Sequence, residues 1–466
     1  MKQEDILSGN AGLAGIHRIL NGQPSRRLLR SEVEGMLHSG FRAGPFHLTR
    51  AKFKPGRKLS AYFSFPVLDE TGKACQTAHL AVTWQNALES GSDADGRGSL
   101  QEEARRAGLM PVQRELWRDL PERGMRLQVW PLDPKFPHLV HLGDPDHVRE
   151  MLTSLGAAQD GKQLPVIKPI RYRPGERHVL RYEIPASAAV RGRGQYLYAK
   201  LYKNGQDASR AFGIANRVVD WLDANPQGLQ GNRPEAMSQE DCAILYPHAP
   251  GIPLSHQLDR STRWLTSQLQ TIGRALATMH SGPESLQAGL KENSFTNEAK
   301  VVKRASEHIQ ALLPETYDKI IMILDTLQTH YTDLPQEKPT FTHSDFKADH
   351  LLCTPHGLTL IDLDTCTLTD PALDLGKFLA DLEWWFEREG ISGIEETHAA
   401  LIKGYQDELV GNSVINERLR RAKLFHVLIL VKIVARRVPL YKKEWTAMTA
   451  HLVERASQRL NQAIPV

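Results

Sequence analysis

A repeat in the first half of the chain constrains its fold more than any other feature. The stretch LTRAKFKPGRKLSAYF (48–63) matches IKPIRYRPGERHVLRY (167–182), with Pro55-Gly56 over Pro174-Gly175 at an offset of 119. Downstream, HLAVTWQN (79–86) lies over LYAKLYKN (197–204) at an offset of 118. VWPLDPKFPHL (129–139) then lies over LYPHAPGIPL (245–254), with three prolines holding an offset of 116. A drift of this size is what a few loop deletions produce. Residues 31–139 and 146–254 therefore read as two copies of one unit: strand, Pro-Gly turn, strand, strand, helix, strand. Proline presets one turn dihedral and glycine accepts positive φ, so each Pro-Gly pair marks a hairpin. In this alignment Lys200 of the second copy lies over Val82 of the first, so only the second copy carries a lysine there.

The strand YLYAKLY (196–202) precedes ASRAFGIANRVVDWL (208–222), where Phe212, Ala215, Val218, Val219 and Leu222 fall at helical spacing. From about residue 255 the pattern turns helical. TRWLTSQLQTIGRALATMHSG (262–282) repeats apolar positions at three and four, with Gly282 as a stop. A β-rich island at 341–364 interrupts the helices.

Composition excludes several classes. At 466 residues with 41% apolar and 24% charged positions, the chain has ordinary globular usage. The 58 basic and 54 acidic residues leave +4, too little to argue for a nucleic-acid or membrane-surface partner. Cys75, Cys242, Cys353 and Cys366 are scattered without a CxxC pair, so neither a zinc knuckle nor a disulfide framework is expected. The first residues lack the basic-then-apolar order of a signal peptide, and the apolar run Leu424–Ala435 is short and broken by His426 and Lys432. A cytoplasmic protein is expected.

The stretch FTHSDFKADHLLCTPHGLTLIDLDTCTLTDPALDLGKFLADL (341–382) carries the chemistry. It gathers Asp345, Asp349, Asp362, Asp364, Asp370 and Asp374 around two apolar strands, 350–352 and 358–363. Carboxylates so close repel one another unless cations or basic groups intervene. A divalent metal is the economical answer, and Mg²⁺ suits carboxylate ligands together with substrate phosphates.

The order HSDFKADH, then LTLIDLD, then DPALDLG resembles the aminoglycoside phosphotransferase and choline kinase family, relatives of the protein kinases. LATMH (276–280), YAKLY and the hinge-like LYPHAPGIPL extend the resemblance over about 160–440. It implies an α+β, protein-kinase-like bilobal fold, with a small β-rich N-lobe at 146–248 and a mainly helical C-lobe at 249–466. Residues 1–145 are then an extra α+β unit, a degenerate repeat of the N-lobe serving as a cap or a wall of the acceptor pocket. Some maltose-type sugar kinases similarly carry an N-terminal cap.

The resemblance also implies an ATP-dependent, Mg²⁺-requiring transfer of the γ-phosphate to a hydroxyl of a small molecule such as a sugar, aminoglycoside or amino alcohol. Asp345 would orient the attacking hydroxyl and accept its proton, with His343 beside it in the catalytic loop. Asp362 would ligate Mg²⁺, with Asp364 and His350 as further metal positions. Lys200 would contact the α- and β-phosphates, Gly175 and Arg177 would cover them from the Pro-Gly turn, and Tyr246 would lie on the nucleotide side of the hinge. His343 and Asp374 would also support the loop.

Three departures from the family pattern stand out. Position 350 is His where the family usually has Asn, and imidazole is a poor Mg²⁺ ligand, so Asp349 is an alternative donor. The helix after Lys200 has no Glu, leaving Asn216 or Asp220 to substitute. The turn before Lys200 lacks a Gly-rich motif. These keep open a catalytically silent nucleotide-binding protein, and thirdly a metal-dependent phosphohydrolase using His343, Asp345, His350 and Asp362. On DLEWWFERE (381–389), Asp381, Glu383, Trp384 and Glu387 read first as packing and solvated charge, and second as an acceptor cleft. The basic cluster Arg436-Arg437 and Lys442-Lys443 reads first as a solvated helix end and second as a site for an anionic partner.

Overall fold

The computed structural model describes residues 3–86, 96–159, 163–190, 195–409, 411 and 414–464. It forms two compact units: Met1–Ser209 with Glu235–His248 and Pro439–Trp445, and Arg210–Pro234 with Ala249–Val438 and Thr446–Val466.

The first unit holds two antiparallel sheets. After helices α1 (Gln3–Ser8), α2 (Gly12–Asn21) and α3 (Gln23–Glu34) come β1 (Arg42–Ala43), β2 (His47–Lys54), β3 (Lys58–Leu68) and β4 (Ala74–Gln85). Helix α4 (Arg97–Arg106) and strands β5 (Trp117–Leu120) and β6 (Met125–Val129) follow. Helix α5 (Pro145–Ser154) leads to β7 (Val166–Arg173), β8 (Arg177–Glu183) and β9 (Tyr196–Leu201), and then to α6 (Gly205–Ala224). Beyond β10 (Leu229–Gly231), strands β11 (Ala236–Ser238) and β12 (Ala243–Pro247) complete the second sheet.

The two sheets have one topology. The first runs β2-β3-β4-β6-β5, with β1 on the far end of β3, and the second runs β7-β8-β9-β12-β11. Both hairpins turn at the Pro-Gly pair, closing on Lys54↔Lys58 and Arg173↔Arg177, with Gly56 and Gly175 at φ +70° and +71°. Only glycine adopts that conformation without a Cβ penalty. Each first hairpin also carries an irregularity near its outer end, between Leu48 and Arg50 and between Pro169 and Arg171. Pro169 is tolerated because β7 lies at a sheet edge, where a missing N–H breaks no inner ladder.

Strand pairing moves the expected register by one residue. Lys200 pairs with Val179, and Ser60, the hairpin equivalent of Val179, pairs with Thr83. Thr83, not Val82, therefore occupies the place of Lys200. Val82 is fully buried while Lys200 is half-buried, as a one-residue slip across a pleat requires. Both copies feed a single core in which Tyr62 and Ala81 join Leu180, Tyr182, Leu197 and Leu245.

The second unit is mainly helical. Its helices are α7 (Thr262–His280), α8 (Phe295–Ala305), α9 (Glu307–Leu312), α10 (Pro314–Asp333), α11 (Ala372–Glu389), α12 (Ile394–Glu408), α13 (Ile415–Arg437) and α14 (Trp445–Ala463). On α7 the buried residues Leu265, Leu269, Ile272, Leu276 and Met279 repeat at three and four, as the sequence pattern predicts. On α6 the buried row is Ala208, Ala211, Ala215, Val218 and Leu222, with Ile214 in place of the expected Phe212. Gly376 lets α11 cross α13 closely, because a Cβ there would sit 2.5 Å from the Ala422 carbonyl oxygen.

The island forms two small sheets. Strands β13 (Ile252–Pro253), β16 (Leu351–Thr354) and β17 (Gly357–Leu360) join β10 in the order β10-β17-β16-β13. Strands β14 (Lys291–Glu292), β15 (Thr340–Thr342) and β18 (Thr367–Thr369) pair as β14-β18-β15. No helix among the described residues is long and apolar enough to cross a membrane.

Candidate active site

Strand β15 delivers the chain into the loop His343-Ser344-Asp345, and the end of β17 delivers Asp362. Both deliveries use a left-handed non-glycine residue, Ser344 at φ +60° and Asp362 at φ +68°. Such residues cost on the order of 1–3 kcal/mol and persist where neighbours fix them. Here the neighbours are explicit. The fully buried Asp374 carboxylate, in the first turn of α11, accepts the His343 N–H at 2.6 Å and the Ser344 N–H at 2.7 Å. Behind it, His280 Nε2 lies 3.3 Å from Asp374, and His280 Nδ1 lies 2.8 Å from the Tyr405 hydroxyl. Burial lowers the His280 pKa, so the imidazole is neutral; this network assigns its proton to Nε2.

His343 ties the loop to the metal strand. Its Nδ1 accepts the Asp345 N–H at 3.2 Å, and its Nε2 donates to the Ile361 carbonyl at 3.2 Å. With both ring nitrogens engaged and the side chain buried, His343 positions Asp345 rather than reacting. Thr365 Oγ1 adds a second tie, donating to the His343 carbonyl at 3.1 Å.

Asp345 is held by two lysines that the motif reading left unassigned. Lys347 Nζ lies 2.7 Å from Oδ2 and Lys377 Nζ 2.8 Å from Oδ1. Burial alone would raise the Asp345 pKa. The Lys377 ammonium, with Lys347 beside it, outweighs burial and holds the carboxyl well below the usual carboxylate range. Both lysines lie inside the quoted motifs, HSDFKADH and DLGKF. Their one legible signal was a basic residue amid six carboxylates.

Asp345, His350 and Asp362 form one cluster whose ligand atoms all lie within 4.8 Å of one another. His350 Nε2 is 3.4 Å from Asp362, and Nδ1 is 3.8 Å from Asp345. Burial depresses the His350 pKa to about 3 against the pull of Asp362, so the ring is neutral and can offer a lone pair. Its Nδ1 is buried and makes no hydrogen bond among the described residues. An orphaned imidazole nitrogen between two carboxylates is a donor set that fits a divalent cation, with one nitrogen softer than Mg²⁺ prefers. Asp364 lies two residues on, in the turn Leu363–Thr365, and is not part of this cluster.

Other carboxylates have partners outside this cluster. Asp349 accepts the Ser255 hydroxyl at 2.6 Å and is not one of the three clustered residues. Asp370 binds Arg421 at 2.6 Å and the Tyr331 hydroxyl at 2.8 Å. Asp220 pairs with Arg233 at 2.7 Å, and Asn216 accepts from the same guanidinium at 3.3 Å. On α11 the packing reading holds for Asp381, Glu383 and Trp384, all buried. Asp381 accepts the Ala348 N–H at 2.8 Å and pairs with Arg437 at 2.6 Å, which takes Arg437 out of the solvated role expected for it. Glu383 is saturated by His426, Arg455 and Arg459.

The residues expected on the nucleotide side lie in the first unit. Lys200 is in the central strand β9, paired with Val179 and Ile244. Arg177 and Tyr246 share its sheet face by register, and Gly175 sits in the adjoining turn.

Residues 197–409 match the model of the phosphotransferase enzyme family. No curated protein matches the chain. A choline kinase from Cryptosporidium parvum Iowa II superposes with a TM-score of 0.51 at 12% identity, covering 68% of this chain and 96% of that one. The GDP and kanamycin complex of APH(2'')-IIia gives 0.47 at 13%, covering 67% and 98%. A Plasmodium vivax ethanolamine kinase gives 0.42 at 12%, covering 70% and 89%. The resemblance read from the motifs is thus borne out over residues 197–409. The choline kinase likeness establishes a protein-kinase-like α+β fold, and the family match supports a phosphotransferase.

Proposed function

We propose that this chain transfers the γ-phosphoryl group of ATP to a hydroxyl of a small molecule of the sugar, aminoglycoside or amino-alcohol type. The observation that carries the reading is Asp345, its backbone N–H held by His343 and its carboxylate by Lys377, beside the His350–Asp362 pair. Phosphoryl transfer asks a protein chiefly to position reactants and neutralise phosphate charge.

In this reading Asp345 accepts a hydrogen bond from the acceptor hydroxyl, aligns its oxygen and receives its proton. Held ionised by two ammoniums, it is a weak base, so its contribution is mainly alignment. Lys347 and Lys377 keep it charged and stabilise negative charge that develops nearby. Asp362 and His350, with Asp364 close by, would hold Mg²⁺ or a related divalent ion. Such an ion supplies charge neutralisation of the nucleotide phosphates. Lys200 and Arg177 supply cations to the phosphates and Tyr246 lines the nucleotide side, while the Gly175 N–H is held by Asp133 at 2.7 Å and shapes the turn rather than meeting phosphate.

The test is Asp345→Asn assayed for nucleotide hydrolysis, acceptor phosphorylation and nucleotide binding. Transfer and hydrolysis lost with binding retained supports the proposal; undiminished turnover overturns it. The two lysines occupying Asp345 favour, as a second reading, a silent nucleotide-binding protein. That reading predicts binding by the native chain with no turnover for any acceptor.

A further inference from the structure

The first sheet has a basic face that lines a cavity of its own. Lys52 and Lys54 on β2, Lys58 on β3 and Arg126 on β6 line one cavity of about 480 Å³, together with Lys135 from the loop after β6. Gly175 and its neighbours in the second hairpin turn form part of the wall. Register places these strand residues on one face, since Lys54 pairs with Lys58, Lys52 with Ser60, Ser60 with Thr83, and Thr83 with Arg126. By the topological match this is the face that carries Lys200 in the second sheet. The first copy lacks a lysine at the Thr83 position and instead gathers its cations at the hairpin.

The charge there is partly compensated, since Arg126 is paired with Asp119 at 2.7 Å. Two carboxylates reach the cavity, and both are committed. Asp133 accepts from the Gly175 N–H at 2.7 Å, the Lys135 N–H at 3.0 Å and His178 Nε2 at 2.7 Å. Glu176 pairs with Lys52 at 2.7 Å. Among the described residues, Lys58 and Lys135 have no ion pair within 4.0 Å. Lys54 stands directly across the ladder from Lys58, and like charges so placed are destabilising. Burial, and behind it the Lys54 and Lys135 ammoniums, lower the Lys58 pKa.

Lys58 and Lys135, two ammoniums without an ion pair that converge on a concave site, give it the electrostatics of an anion receptor. The Trp117 ring at the edge is already taken by Arg97 and Arg126, each 4.5 Å from its centroid, so no stacking platform is offered to a nucleobase. Ser60, Thr83 and Gln128 supply hydrogen-bonding groups instead. We propose that this cavity binds a compact, hydroxylated metabolite carrying two or more phosphate groups, at a site separate from Lys200.

Isothermal titration of the full chain with inorganic pyrophosphate and with fructose 1,6-bisphosphate tests this, with glucose as the uncharged control. At least one phosphorylated probe should bind, glucose should not, and affinity should fall as salt rises. Lys54→Ala/Lys58→Ala should weaken binding about tenfold or more, while Lys200→Ala should leave it within about twofold. Lys135→Gln, on a loop, gives the same reading if the strand variant fails to fold. No binding of either phosphorylated probe at millimolar concentration overturns the proposal. So does binding that Lys200→Ala abolishes and the cavity variants leave intact.

Discussion

Lys377 Nζ lies 2.8 Å from Asp345 Oδ1, joining the first turns of α11 to the loop that carries the proposed catalytic carboxylate. The same helix holds that loop by its backbone through Asp374. One helix therefore sets both the place and the charge of Asp345.

Lys377→Met should lower nucleotide hydrolysis on the order of a hundredfold, the loss that follows when a reacting group is misplaced. It should also move the acid limb of the rate profile. In the native chain Asp345 stays ionised far below neutrality; without Lys377, burial pulls its pKa back up. The acid limb of the rate profile should lie at higher pH in the variant than in the native chain, and an unmoved limb would remove Lys377 as the group that sets the charge of Asp345.

Asp374→Asn keeps the shape of the side chain but removes its charge. His343 N–H and Ser344 N–H bond to different carboxylate oxygens, so the single amide oxygen keeps one and leaves the other without an acceptor, an expected loss of about 2–3 kcal/mol. Urea melts check this, and an unchanged midpoint would remove Asp374 as the anchor of the loop.

His350→Asn exchanges a neutral nitrogen donor for an amide oxygen. Imidazole favours later first-row ions over Mg²⁺, so the native chain should hydrolyse nucleotide with a higher Mn²⁺-to-Mg²⁺ ratio than the variant. Parallel metal titrations measure that ratio.

Buried neutral histidines make stability sensitive to acid. His308, held by burial at about 4, binds its proton in the unfolded chain before the folded one. Its contribution is intact above the unfolded value of 6.5 and is lost as pH falls toward 4, at about 1.4 kcal/mol per pH unit. Comparing urea melts at pH 7 and pH 5, His308→Gln should lose about 2 kcal/mol less than the native chain.

The elements legible in the sequence are those with short-range signatures. The Pro-Gly pairs mark both hairpins because only that turn chemistry fits, and the spacing of Asp345, Asp362 and Asp374 follows from one strand-loop-strand-helix path. What stayed hidden depends on partners distant in sequence. Asp381 and Glu383 look like surface charge until Arg437 and Arg459 arrive from other helices. The Val82-for-Thr83 slip is a matter of ladder register, which aligned letters do not encode. Lys52, Lys54 and Lys58 read as an ordinary polar hairpin, and only their common sheet face with Arg126 makes them a cavity wall.

The most direct measurement is a thermal melt of the full chain with ATP, GTP and ADP, each with and without Mg²⁺, beside Lys200→Ala and Asp362→Asn. A ligand at about a hundred times its Kd stabilises by roughly 2.7 kcal/mol, which raises the midpoint by a few degrees. The account predicts a Mg²⁺-dependent rise with ATP that is lost in both variants. No rise with any nucleotide would contradict it.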